Sequence, residues 1–313
     1  MVFVMSTSES RKAKSKRFYK RWWFVLLFIL LPILFLGNFL IVVATYGESE
    51  SVSVEFIEQN TADRSTSTEE ITLMSLNLAH GRSDGPNQMW LDNQTIRQNI
   101  VQAAELIARH KPDVVALQEA DAPSWWSGDF SHTSLLAKES GLHFVAQSRN
   151  VNGLGLHYGT ALIGSLAVKN TAKTHTFKRS FPTFSKGCVV TTCCWPEAPE
   201  FEFILISVHL DFANSKVRSS QLSELTELIK GQQRPVIVMG DFNTGASDDL
   251  KSFRDENQLS TWDWDATDIV TFPTFERRLD WIFVSKEFVI TEHSVLEEVI
   301  SDHRAIKVTV GRR

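Results

Sequence analysis

Apolar positions along the chain fall into one unbroken block near the start and a series of short runs after residue 70. The block, residues 22–44, reads WWFVLLFILLPILFLGNFLIVVA and holds no charged side chain. At about 1.5 Å of rise per residue, a helix of that length spans the roughly 30 Å hydrocarbon core of a bilayer with some tilt. Trp22, Trp23 and Tyr46 stand at its ends, where amphipathic rings favour the interface. The alternative, a cleaved signal peptide, has an apolar region of only about 7–15 residues. The block therefore predicts one transmembrane helix over residues 22–46.

After it the pattern changes. Residues 47–70 are polar and rich in Ser, Thr and Glu, and read as a flexible linker. Alternation over 71–78 predicts a strand, and short buried runs follow at 113–117, 160–163, 203–208, 236–239, 281–284 and 305–310. Ile96, Ile100, Ala103, Ala104 and Ile107 share one face of a helix predicted over 93–110, with Pro112 beyond its end. Leu222, Leu225 and Ile229 place a second helix over 215–230, stopped at Gly231. Strands interleaved with helices predict an α/β body over 71–313. No internal repeat is present.

Charge adds a direction. Residues 1–21 carry seven basic side chains and one acid, a basic tail that stays in the cytoplasm under the positive-inside rule. The body is then expected outside the cytoplasm, in the periplasm if the source is a Gram-negative bacterium. The whole chain of 313 residues has a net charge of −5, so everything after the tail is clearly acidic. An acidic body argues against a protein that coats nucleic acid by charge alone. A hydrophobic content of 43% with 11% aromatics excludes a disordered chain. Cys188, Cys193 and Cys194 fit neither a disulfide scaffold nor a zinc site and read as buried thiols, with one disulfide left open.

The candidate chemistry lies at the ends of the buried runs. Asn77 closes the first strand, and Glu119 follows VVALQ. His209 and Asp211 follow FILISV, Asp241 and Asn243 follow VIVMG, Asp280 opens DWIFV, and Asp302-His303 precedes the last strand. Acids packed against a core cost several kcal/mol unless paired or metal-bound. Five carboxylates with two His and two Asn at strand ends suit a metal–phosphate site, and oxygen donors suit Mg²⁺ or Mn²⁺.

The segments LNLAHGR (76–82), ALQEAD (116–121), YGTALIGS (158–165), SVHLD (207–211), GDFNT (240–244), LDWIFVS (279–285) and SDHRAI (301–306) resemble, in order, the motifs of the endonuclease/exonuclease/phosphatase superfamily. The resemblance implies a DNase I-like fold, a four-layer α/β/β/α sandwich, here preceded by one transmembrane helix. It implies a hydrolase that cleaves phosphodiester or phosphomonoester bonds by in-line attack of water. Carried over position by position, Glu119 resembles the principal metal ligand, assisted by Asn77, with Asp302 the second carboxylate near the metal. Asp241 resembles the acid beside the attacking water, and Asn243 the phosphate-binding Asn, with Asn77 also near the phosphate. His303 resembles the histidine at the phosphate, oriented by Asp280. His209 resembles the second histidine of the DNase I-like and sphingomyelinase-like branches. Thr160 stands where the family often has Asn. Whether Asp241 or a His–Asp pair takes the water proton stays open.

The substrate splits the expectation. A lipid-linked or small phosphoester suits a body tethered to a membrane, and Trp125-Trp126 with 181–184 are candidate apolar loop tips. A nuclease wants a basic groove, for which Lys173, Lys178, Arg179 and Lys186 offer a small cluster. A catalytically inactive binding module would lack Glu119, Asp241 or His303, and all three are present. No segment points to a protein partner. Asp211 reads as a loop acid, His110 as a helix-end residue, and His80, His132, His143, His175 and His293 are assigned no role.

Overall fold

The computed structural model describes residues 28–58, 69–178 and 181–313. Residues 28–44 form helix α1, the first of two units, with Phe28, Leu31, Leu34 and Phe35 exposed. Among the described residues no helix is long and apolar enough to cross a membrane. The first part of the expected anchor, residues 22–27, and the basic tail 1–21 lie outside the described residues.

The second unit, Thr45–Arg313, is built on two β-sheets. One has six strands: β1 (Ser51–Ser53), β8 (Thr171–Thr176), β9 (Gly187–Trp195), β10 (Ala198–His209), β11 (Val236–Asp241) and β12 (Asp280–Val284), in that order. The other runs β13 (Phe288–Val295), β14 (Ile306–Arg312), β3 (Glu70–Asn77), β4 (Val114–Asp121), β7 (Leu156–Gly164), β5 (Phe144–Gln147) and β2 (Glu55–Phe56), with β6 (Val151–Gly153) paired to β7. Their inner faces meet through Leu73, Ala116 and Leu162 on one side and Leu205, Ile237 and Ile282 on the other. Helices α2 (Asn93–His110) and α3 (His132–Ser140) cover the outer face of the larger sheet. Helices α4 (Ser215–Lys230) and α5 (Asp248–Glu256) cover the outer face of the smaller one. These are the four layers expected from the sequence.

Near-continuous apolar strands are the mark of a sheet buried on both faces. In β3, β4, β10 and β11 alternate residues feed the inter-sheet core and a helix layer. Helix α2 starts where the Asp92 side chain accepts from Thr95 N at 2.7 Å and ends at Lys111, which takes a left-handed conformation before Pro112.

Part of the expected linker is not linker. Within 47–70, Gly47 N donates to Asn150 O, β1 pairs antiparallel with β8, and β2 with β5; Tyr46, expected as the last residue of the anchor, bridges Val151. The cause is the alternation Ser51-Val52-Ser53-Val54, which turns Val54 into the inter-sheet core with Val52 packed against it. Residues 59–68 lie outside the described residues.

The three cysteines are free thiols on β9, with Cys188 and Cys193 buried. Of the candidate apolar tips, Trp125 is exposed, but Trp126 and Phe184 turn inward and pack around Tyr158.

Candidate active site

Topology gathers the strand-end residues. The parallel pairs β3/β4 and β10/β11 bring four carboxyl-terminal ends to one edge of the sandwich. Strand β12 runs antiparallel to β11 with Asp280 opposite Asp241. Strand β14 runs antiparallel to β3 from Ile306 opposite Ser75, which sets residues 301–303 beside Asn77. Gly240 permits the approach of β11: its φ is +149°, and a Cβ there would fall 2.0 Å from Val208 O. In β4 a register shift between Leu117 and Ala120 holds Glu119 at φ +48° and re-aims its side chain.

The edge opens into a cleft of about 350 Å³ lined by Asn77, Glu119, His209, Asp241, Asn243, Asp302 and His303, among others. Every site residue expected from the sequence lines this cleft except Asp280, which lies behind His303. His303 Nδ1 is 2.9 Å from Asp280 Oδ2, and its ring packs against Phe272. Its Nε2 faces Asp241 Oδ2 at 3.8 Å. Burial would lower the His303 pKa, but the charges of Asp280 and Asp241 outweigh it and raise it to about 10. Asp241 is the most enclosed acid of the cleft. Asn77 Nδ2 donates to its Oδ2 at 3.1 Å, Asn243 N donates to Oδ1 at 2.8 Å, and His209 Nε2 is 3.5 Å away. Burial lifts its pKa to about 7, Asp280 adds to the lift, and His303 opposes it. Burial and neighbouring Lys186 hold His209 well below its ordinary pKa, as the neutral imidazole.

Glu119 sits among cations. His80 Nε2 is 3.4 Å and Arg82 Nη1 3.5 Å from its Oε2, and Lys186 Nζ is 3.9 Å from Oε1. Burial opposes its charge, yet the charges of His80, Lys186 and Arg82 hold its pKa well below the usual carboxylate range. Arg82 also pairs with Asp302, so one guanidinium spans the two acids expected to bind metal.

Three of these residues were not expected. Lys186 looked like part of a surface cluster, but it is buried with Nζ 3.2 Å from His209 Nε2. Its neighbour Gly187 registers opposite His209 across β9 and β10, a pairing no local pattern announces. Arg82 and His80 lie within LNLAHGR, and their closeness to Asn77 in the chain was the available signal. Asp211 is structural: its Oδ1 accepts from Ala213 N and Asn214 N and turns the chain into α4.

Such a set of acids, amides and imidazoles, on these strands and in this chain order, matches one known group. Residues 74–303 match the model of the Endonuclease/Exonuclease/phosphatase family. The chain belongs to this family. It is a hydrolase acting on phosphoester bonds, and family members generally use divalent metals. Among solved structures, an endonuclease/exonuclease/phosphatase from Bacteroides vulgatus superimposes with a TM-score of 0.62 at 17% identity, covering 78% of this chain and 99% of that one. A Bacteroides thetaiotaomicron mannosyl-6-phosphatase gives 0.57 at 19% identity over 77% and 99%. D. rerio TDP2 complexed with single strand DNA product gives 0.57 at 15% over 77% and 99%. At these identities the likeness is one of fold. No match was found among curated proteins.

The acids fit a divalent cation. Glu119 and Asp302 converge closely enough that a single guanidinium pairs with both, and a convergent pair of oxygen donors is what a hard cation requires. A second group, Asp241, Asp280 and His303, places one potential ligand atom each within 4.8 Å of one another. Its closeness is accounted for by the Asp280–His303 hydrogen bond and the facing Asp241.

Proposed function

We propose that the protein is a membrane-anchored, divalent-metal-dependent phosphoesterase that hydrolyses its substrate outside the cytoplasm by in-line attack of water. The observation that carries this reading is the Asp241–His303–Asp280 alignment at the floor of a cleft whose other wall holds Glu119, Asn77 and Asp302. Glu119, Asp302 and Asn77 would hold Mg²⁺ or Mn²⁺, which supplies positive charge for the phosphoryl oxygens.

The chain's own groups handle the rest. Asn77 and Asn243 fix Asp241 so that its Oδ2 faces the cleft, and a carboxylate with a pKa of about 7 accepts a proton from water. His303, held by Asp280, keeps Nε2–H aimed at the same space, where it stabilises a phosphoryl oxygen or protonates the leaving oxygen. In this reading His209, which lines the cleft, contacts the phosphate, while the Asn243 amide, already donating to Leu210 O at 2.9 Å and Asp241 Oδ2 at 3.2 Å, supports Asp241. Phe212 and Phe275 stand exposed on the rim with Arg277 beside them.

That rim suits a phosphate joined to an apolar group, and the exposed apolar face of α1 supports an anchor that keeps the site near lipid. We therefore favour a lipid-linked or small phosphoester. A second reading, an extracytoplasmic nuclease, draws on the same aromatics, which offer a stacking surface to a base. The full chain in detergent with Mg²⁺, assayed on phospholipid vesicles, sugar and inositol phosphates, single-stranded DNA and RNA, decides between them. His303→Ala is the control. Turnover of lipid or small esters, lost in the variant, is the expected result. Preferential cleavage of DNA or RNA would replace it with the nuclease reading, and turnover unchanged in His303→Ala would overturn the site.

A further inference from the structure

His80 touches Glu119 from outside the cleft lining. The turn Ala79–Gly81 carries three successive residues at positive φ, +47°, +54° and +74°, two of which are not glycine. Backbone in that region is strained for Ala and His and persists where surrounding contacts over-determine it. Glu119 has the same kind of backbone, at +48°. Two strained segments thus meet, and their side chains touch: His80 Nε2 is 3.4 Å from Glu119 Oε2.

The other side of the ring is fully engaged. His80 Nδ1 lies 2.7 Å from Asp121 Oδ1. The second oxygen of Asp121 accepts from Trp126 Nε1 at 2.8 Å and from Ser127 Oγ. The imidazole packs edge-on against Tyr158, with centroids 4.7 Å apart, and against Trp126 at 4.9 Å. Every contact in this buried network fixes the ring, and the network ends on Glu119.

We propose that His80 is a positioning residue: held by Asp121, it fixes the Glu119 carboxylate for its cation. The inference rests on the reading of Glu119 as a metal ligand. By tying down Oε2 from the protein side, His80 sets which way Glu119 Oε1 faces, on the side where Lys186 stands. Partners of a ligating group commonly alter metal affinity by about 10–100-fold when removed. A purely structural His80 would serve as well with an apolar ring-sized filler, and its loss would lower stability without touching metal affinity.

Mn²⁺ binding to the full chain in detergent, followed by electron paramagnetic resonance well below the melting temperature, tests this. His80→Asn tolerates the left-handed backbone and can keep the Asp121 contact, but cannot reach Glu119. His80→Gln can reach Glu119 with its amide. We expect His80→Asn to weaken Mn²⁺ binding about 10-fold or more, Asp121→Asn to weaken it similarly, and His80→Gln to recover part of the loss. The apparent kcat should fall with Mn²⁺ affinity at limiting metal, with little change in KM for the phosphoester. Parental Mn²⁺ affinity in His80→Asn overturns the proposal, whether or not its melting temperature drops. If His80→Asn does not fold, parental affinity in folded Asp121→Asn or no recovery in His80→Gln overturns it. Glu119→Gln separates the two failures: parental affinity there sinks the ligand reading itself, and weakened affinity there with no effect at His80 sinks only this inference.

Discussion

His303 holds its proton because two carboxylates face it. Burial alone would strip that proton, and the charges of Asp280 and Asp241 reverse the sign. If Asp241 works as the base, it must lose its proton, so activity rises as pH passes about 7. If His303 works as a proton carrier, activity falls as pH passes about 10. The two groups face each other at 3.8 Å, so these limbs belong to the pair. The expected kcat/KM profile is a bell. Asp280→Asn removes the larger of the two supporting charges and should move the alkaline limb down toward the ordinary histidine value of 6.5. It should also lower kcat by about 10²–10⁴-fold. An alkaline limb that stays in place would show that another group carries the proton.

At the scale of elements, the site depends on two local departures from regular strands. The bulge in β4 turns Glu119 toward the cleft, and Gly240 brings β11 against β10 one residue before Asp241. Gly240→Ala sets a methyl into Val208 O at a φ that disfavours it, and should destabilise the protein by more than about 1 kcal/mol, read by denaturant unfolding. The edge strands β1 and β2 carry a second expectation. A fragment starting at residue 70 loses them and the burial of Val54, worth about 1.5–3 kcal/mol. Its melting temperature should lie about 3–12 °C below that of a fragment starting at residue 45. Equal melting temperatures would mean that these strands add nothing.

For the whole molecule, neighbouring cations hold Glu119 ionised, and a divalent cation bound at the cleft would compete with Arg82 for Glu119 and Asp302. Chelation should abolish turnover, and added Mg²⁺ or Mn²⁺ should restore it. A cation that binds only the folded state at about 100 times its dissociation constant should stabilise the protein by about 2.7 kcal/mol, seen as a rise in melting temperature. Activity untouched by a chelator would remove the metal from the mechanism. If residues 22–46 anchor the chain, it should stay with the membrane fraction through an alkaline carbonate wash, while a fragment starting at residue 45 should be released.

Much of this protein was legible in its sequence because the information was local. Most expected site residues stand at or next to the end of an apolar run: Asn77 closes β3, Asp241 follows VIVMG, Asp280 precedes WIFV. The period of those runs announces the strands, and a strand end leads to a rim, so the polar set at the ends implied a cleft. What only the tertiary structure decided is which charges share that cleft. Arg82 and Asp302 pair across a sequence separation of 220, and Lys186 reaches His209 because β9 lies beside β10. His80 gained its place from a left-handed turn that no periodicity records. Val54 looked like linker because a two-strand edge is too short to stand out, and it is buried only once β8 and β5 exist to receive it. Local pattern settles which face of an element is apolar. Burial and the neighbours of a charge are settled by packing, because they depend on residues far away in the chain.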